Sequence, residues 1–405
     1  MRQVETVIVG GGASGMMAAA MLASECRRQS RPVSVLLLEG ADRVGKKLLA
    51  TGNGRCNLTN LHMGNAFYHG DEKAFSLLIE QYPPERVLDF FRGLGLLCRP
   101  DAEGRVYPYS GQASSVSDVL RQSLCHLGVE TLCGMPVSKI QRNGNGFWIS
   151  CGKTEPINAK KVILACGGMA APHLGCETGS YALAQSFGHT VTPLRPALVP
   201  VTVRPEQVRA LKGIRCRAAV SLYRGAVCRK REVGELQFGD GMLSGICMFQ
   251  LSRLVGKKAA EGTAVFVDLL PDYEEAEIAA LLTEKQQRWG ETSPLALFEG
   301  IVQKRAAQEA LKRAGLFPDG RDLAACAHAM KAFRFDVTGT AGFRQAQVTA
   351  GGIPLQEVRM DTMESRVCRG LFLAGELLDL DGDCGGYNLH WAWSTGMAAG
   401  MAAAR

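Results

Sequence analysis

The periodicity of apolar positions changes twice in the first forty residues. Residues 4–9 form a β-branched apolar run, 10–15 a glycine-rich turn, 16–26 an Ala/Met/Leu stretch and 33–38 a second apolar run. A short apolar run that stops at glycine predicts a buried strand, and the longer pattern after it a helix, so the chain opens as a β-α-β unit. Helical spacing returns at 73–82, 85–93 and 117–127. Short strands are predicted at 131–140 and 146–151, turning at Asn143-Gly144, and a buried strand at 161–165 runs into Gly167-Gly168. From Pro193 the texture becomes Pro-punctuated and β-branched, with strands expected at 197–203, 218–223 and 264–269. Residues 274–289, 294–314 and 322–332 read as helices, their ends set by Gly and Pro. Strand texture resumes at 333–337 and 347–349, followed by a short buried strand at 371–374, a Gly-rich stretch at 382–386 and an apolar helix over 389–404.

These changes divide the chain into a discontinuous α/β domain over 1–192 and 347–405, an inserted β-rich domain over 193–271 and 332–346, and a small helical domain over 272–331. At 405 residues the chain is long enough for two to three domains. Its 46% hydrophobic and 21% charged residues are too apolar for a disordered chain. No stretch reaches the roughly 18 apolar residues of a membrane-spanning helix. Glycines 10, 11 and 12 interrupt the run after Arg2 where a secretory signal is continuous, which predicts a cytoplasmic protein. The fourteen cysteines form no C-x-x-C pair, so neither a zinc site nor a redox disulfide of the usual spacing is expected, and Cys326-x-His328 reads as packing rather than a metal site.

The net charge of +7 is concentrated. Between residues 204 and 231 lie Arg204, Arg209, Lys212, Arg215, Arg217, Arg224, Arg229, Lys230 and Arg231 against the single acid Glu206, which leaves the rest of the chain close to neutral. Such a stretch is either an ordinary solvated face or an attachment point for a polyanion such as structured RNA.

Candidate chemistry begins at Gly10-x-Gly12-x-x-Gly15, between a strand and a helix, with Glu39 ending the next strand. The first glycine permits a tight turn, the second a close approach of backbone to pyrophosphate, the third close packing of helix on strand. Glu39 is placed for a ribose diol, and the helix N-terminus presents free N–H groups to phosphates. These features predict a dinucleotide without choosing between NAD and FAD.

The choice comes from Gly45-Lys46-Lys47 through Thr51-Gly52-Asn53-Gly54-Arg55-Cys56-Asn57-Leu58-Thr59-Asn60, which resembles the signature of the flavoprotein family known as BaiN/RdsA, aminoacetone-oxidase-like or YhiN-type. Further blocks follow in the family's order: Ile163 to Gly168, Pro196 to Pro200, Gly234 to Arg253, Val348 to Ile353, Leu373-Ala374-Gly375-Glu376, and Asp381 to Leu389. The resemblance implies a Rossmann-type FAD-binding domain in two chain segments with inserted β-rich and helical domains. It places Gly10, Gly12, Ala13, Ser14 and Gly15 at the pyrophosphate, and Glu39 and Gly40 at the adenosine ribose. Lys47, Gly54, Arg55, Cys56 and Asn57 would lie along the cofactor, with Val137 at the adenine. Ala165 and Gly167 would lie where the chain crosses back under the cofactor, and Gly375 and Glu376 near the ribityl and phosphate groups. The turn Gly386-Tyr387-Asn388-Leu389 would meet the flavin C2 carbonyl. Thr178-Gly179-Ser180-Tyr181 lacks the acid of the family's turn, and Gly239-Asp240 also departs from its pattern, both bearing on the substrate.

No second G-x-G-x-x-G appears, so NADH or NADPH is expected as a transient electron donor only. The chemistry implied by the family is hydride transfer to a C=C conjugated with a carbonyl, which also needs an acid. Cys384 and Tyr387 are the candidate acids. Cys384 sits in a glycine turn at a helix N-terminus, a setting that lowers thiol pKa. His390 and Trp391 are expected to be structural. Three classes remain open: reduction of a small-molecule enone, reduction of uridine to dihydrouridine in ribosomal RNA, and oxidation of amines by oxygen.

Overall fold

The first strand, Gln3–Val9, buries Val7, Ile8 and Val9 and runs parallel to Val35–Leu38 on one side and Ile157–Leu164 on the other. All four residues of Val35–Leu38 are buried, the continuous apolar signature of a strand covered on both faces. The computed structural model describes residues 2–152, 155–175, 179–256, 262–290 and 292–405. Glu130–Leu132 extends the parallel sheet beyond Val35–Leu38, and Leu371–Leu373 pairs in parallel with the end of Ile157–Leu164. The antiparallel strands Gly146–Cys151 and Val137–Asn143 complete the edge. The stretch expected as one strand over 131–140 is thus two strands of different character, parted at residues 133–136.

Helix Ala13–Arg28 packs against the last helix, Tyr387–Ala403, through glycine. A Cβ at Gly396 would lie 2.5 Å from the Ser14 carbonyl oxygen, and one at Gly400 would lie 2.4 Å from that of Ala18. At these two positions only glycine fits.

The chain forms two compact units, residues 1–196 with 347–405, and residues 197–346. In the second, six strands among the described residues close a barrel: Val201–Val203, Met242–Ser244, Val227–Phe238, Arg215–Arg224, Thr263–Asp268 and Phe333–Thr340. Val220, Leu222, Phe238, Val265 and Phe335 belong to its core, and so do Ile278, Leu282, Leu311 and Met330 from the helices. The helices expected as a separate domain over 272–331 therefore share one apolar core with the barrel, and the division is into two units, not three. The helix expected over 294–314 is two, Pro294–Leu297 and Lys304–Arg313, parted where Gly300 takes a φ of +80°. Among the described residues no helix is long and apolar enough to cross a membrane. Cys326 is buried, as expected for packing, while His328 is exposed and pairs with Glu275.

Candidate functional site

The glycines of the first turn are not equivalent. Gly10 has a φ of +103°, donates its N–H to the Leu38 carbonyl, and sits so close to Ala165 that a Cβ would lie 2.4 Å from its oxygen. Gly15 abuts Gly10, where a Cβ would meet the Gly10 carbonyl oxygen at 1.8 Å. Gly12 caps the helix with an ordinary φ of −78°, and nothing lies within 4 Å of a Cβ built there. No side chain caps this helix, so its first N–H groups beyond Gly12 look for an external acceptor. Glu39 holds the turn from the side, accepting the Gly11 N–H at 2.6 Å and the Ala41 N–H at 2.8 Å. Gly40 meets the segment leading into Val137 here as well: Met135 donates to the Glu39 carbonyl and Pro136 lies 3.6 Å from a Cβ at Gly40.

The second chain segment closes on the first. A Cβ on Gly375, whose φ is +79°, would strike the Ser14 hydroxyl oxygen at 2.5 Å. The Lys47 ammonium reaches Glu376 at 2.7 Å, and the other oxygen of Glu376 accepts the Thr349 N–H. Gly167, with a φ of +75°, is open, whereas Gly168 is wedged against Thr349 and Glu376. Residues 329 apart are thereby joined in one wall.

The Gly45–Asn60 stretch ends in a tight turn. Gly54 and Arg55 are exposed, and the Arg55 guanidinium lies over the Tyr107 ring at 4.8 Å. Cys56 is fully buried, which pushes its thiol up to about 12. Asn57 is the notable case: its side-chain oxygen is buried without a hydrogen-bond partner, and a Cβ on Gly386 would lie 2.7 Å from it. Gly386, at a φ of +102°, starts the last helix, again with no side-chain cap. Asn388 spends its amide on the preceding turn, bonding the Gly382 N–H and carbonyl, and Leu389 is half-buried behind it.

The candidate acids differ from expectation in one respect. The Cys384 thiol is not lowered by its helix N-terminus. Burial, with Asp383 beside it, pushes it up to about 11, because loss of solvent outweighs the pull of Arg105. Tyr387 is pushed up to about 12 by burial and by Asp383, and its ring stacks on Phe67 at 4.7 Å. His390 is structural, as expected: Nδ1 accepts the Thr59 hydroxyl, Nε2–H donates to the Tyr82 carbonyl, and burial depresses the ring to about 4.

Sequence reasoning missed a pair. His69, in the short strand Tyr68–Gly70, puts Nε2 2.8 Å from Asp383 Oδ1, in the turn just before Cys384. No local signal links residues 314 apart, although Asp383 lies inside the Asp381 to Leu389 motif.

Five cations of the basic stretch pair with acids outside its limits, two of which, Asp336 and Asp268, are shared with Arg334 and Lys331. Arg204 pairs with Asp336, Lys212 with Asp240, Arg217 with Asp272, Lys230 with Glu232 and Arg231 with Asp268. Of the two stretches that depart from the family pattern, the first has Thr178 outside the described residues and Gly179, Ser180 and Tyr181 at the start of helix Gly179–Gln185. Gly239 precedes Asp240, the partner of Lys212.

A mostly parallel sheet in two chain segments, a glycine turn at the head of its first helix and an inserted closed barrel define a Rossmann-type protein with a second folded unit. The chain belongs to the family described as HI0933-like protein Rossmann domain, whose model matches residues 4–402. The resemblance read from the motifs is thus borne out. The chain is 39% identical over 408 residues to the 3-dehydro-bile acid delta(4,6)-reductase of Clostridium scindens, covering 98% of both chains. It is 29% identical over 410 residues to the ribosomal RNA dihydrouridine synthase of Escherichia coli, covering 98% of this chain and 97% of that one. Among solved structures, the fold is similar to that of a 3-ketosteroid-delta4-(5alpha)-dehydrogenase from Rhodococcus jostii, at a TM-score of 0.54 and 17% identity, covering 100% of this chain and 97% of that chain.

Proposed function

We propose that this chain is an FAD-dependent oxidoreductase that reduces a C=C bond conjugated with a carbonyl in a small apolar molecule, taking electrons from NADH or NADPH that binds only transiently. The observation that carries the reading is the end-to-end likeness to the Clostridium scindens reductase at 39% identity.

The residues present fit FAD. The open Gly12 and the uncapped helix behind it suit a pyrophosphate, and Glu39 suits the adenosine ribose. Asn57 supplies a buried acceptor without a donor, and the flavin ring carries an N–H of that kind. When bound, the flavin supplies hydride chemistry. The protein's own part is positional. Gly10 and Gly15 fix the turn, Lys47 and Glu376 hold the two segments together, and the N–H groups after Gly386 stabilise negative charge on a carbonyl placed before them.

The pairing of five of the nine clustered cations favours a small molecule over RNA, since each paired carboxylate weakens attraction for phosphates. The test is anaerobic. Purified protein should be yellow, release FAD on denaturation, bleach with NADH or NADPH, and be reoxidised by a 3-oxo-4-ene steroid at a rate insensitive to salt. Recovery of FMN, or reoxidation by oxygen and by no enone, would overturn the reading. Loss of a +2 Da uridine from ribosomal RNA on deleting the gene would replace it with the RNA one.

A further inference from the structure

The reduction needs a proton as well as a hydride, and the two acids suggested by the last motif are both made weaker acids by burial. Burial raises both the Cys384 thiol and the Tyr387 phenol, so each holds its proton tightly. The His69–Asp383 pair has the arrangement that proton delivery requires. Tyr68–Gly70 runs antiparallel to Leu380–Gly382, with Asp381 opposite His69, so the sheet register brings His69 to the turn that opens the last helix. Asp383 is fixed there: its N–H donates to the Phe67 carbonyl at 2.8 Å, and the Asn388 amide donates to its carbonyl at 3.3 Å. Its side chain is 11% exposed, while that of His69 is 30% exposed. A carboxylate accepts, so Nε2 carries the hydrogen of the 2.8 Å bond, and Nδ1 is left as the ring's working nitrogen. The stacked rings of Phe67 and Tyr387 continue the same turn as an apolar wall suited to a flat conjugated molecule.

We propose that His69 is the proton donor of the reaction and that Asp383 is its positioning residue. This rests on the enone-reductase reading. When bound, reduced flavin would supply the hydride, and with it both electrons, to the β-carbon as the π bond breaks; the α-carbon would take its proton from Nδ1–H of the His69 ring, and solvent would return that proton to the imidazole. The substrate would gain one hydride and one proton, with the flavin as the reductant. A carboxylate behind the distal nitrogen sets the ring's orientation throughout.

The test uses the full chain with its flavin. In anaerobic stopped flow, His69→Gln should be reduced by dithionite or NADH within about twofold of wild type, yet its reoxidation by a 3-oxo-4-ene steroid should slow at least about 100-fold, with little change in KM. Asp383→Asn should show the same selective loss at about tenfold. Added imidazole should restore His69→Ala but not His69→Gln. As a readout independent of turnover, diethyl pyrocarbonate should carbethoxylate His69 in the oxidised wild type, and a saturating enone should block it. Reoxidation of His69→Gln at the wild-type rate, or equal labelling with and without enone, overturns the proposal alone. A wild-type flavin that no enone reoxidises overturns the enone-reductase reading, and this inference with it.

Discussion

Gly10 and Gly12 occupy the same turn for opposite reasons, and substitution separates them. Gly10→Ala forces a side chain into a left-handed backbone and against the Ala165 carbonyl, so it should cost about 3 kcal/mol, measured as a drop in denaturant midpoint. A Cβ at Gly12 meets no protein atom within 4 Å, so Gly12→Val should leave stability within about 1 kcal/mol while abolishing retention of FAD, measured by absorbance after gel filtration. A Gly12→Val protein that stays yellow would remove the pyrophosphate from this turn. His390 gives a pH effect of definite sign. Its folded pKa of about 4 lies below the ordinary 6.5, so its contribution is complete above pH 6.5. As pH falls from 6.5 towards 4 the unfolded ring takes a proton that the folded ring refuses, and about 3 kcal/mol drains away. Urea unfolding of wild type and His390→Gln between pH 7 and 4 should show a steep fall in the first and a flatter one in the second. The glycine roles were legible in the sequence because a turn is local. The setting of Cys384 was misread because its neighbours in sequence suggest a helix terminus, whereas the burial that decides its acidity comes from remote elements.

At the scale of elements, the seam between Ala13–Arg28 and Tyr387–Ala403 links stability to the site. Gly400→Ala puts a methyl 2.4 Å from the Ala18 carbonyl oxygen, an overpacking cost of about 1–3 kcal/mol, and should lower the melting temperature. Because Ser14 lies in the same seam, against Gly396, the parallel change Gly396→Ala should also weaken FAD binding. Retention of full affinity in Gly396→Ala would show that the first helix is positioned by the sheet alone. Most of the elements of the first unit could be read from periodicity, since its parallel strands are continuous apolar runs and its helices are long. The barrel was harder. Val227–Phe238 carries Arg229, Lys230, Arg231, Glu232 and Glu235 along its length with only Leu236 and Phe238 buried, so no clean alternation marks it as a strand. Its pairing with Arg215–Arg224 and Met242–Ser244 makes it one.

At the scale of the whole molecule, charge that is lopsided along the chain is partly offset in space. The acids at 240, 268, 272 and 336 were invisible to a count over 204–231 because the barrel closes strands from both ends of the inserted segment. Arg215→Glu combined with Arg229→Glu should therefore leave enone reduction within about twofold at low and at high salt, followed as steady-state oxidation of the nicotinamide donor. A large loss confined to low salt would return the basic face to the reaction. The interrupted chain also imposes an order on the making of the protein. Residues 197–346 are contiguous, and their first and last strands, Val201–Val203 and Phe333–Thr340, pair directly, so this unit can close while still near the ribosome. The first 196 residues cannot be completed then. Their sheet awaits Leu371–Leu373, and the first helix awaits the last. At a synthesis rate of about 5–20 residues per second that wait is roughly 10–40 s. During it the apolar face of the nascent half stays uncovered, so the cradle for the nucleotide is the last part of the molecule to be finished.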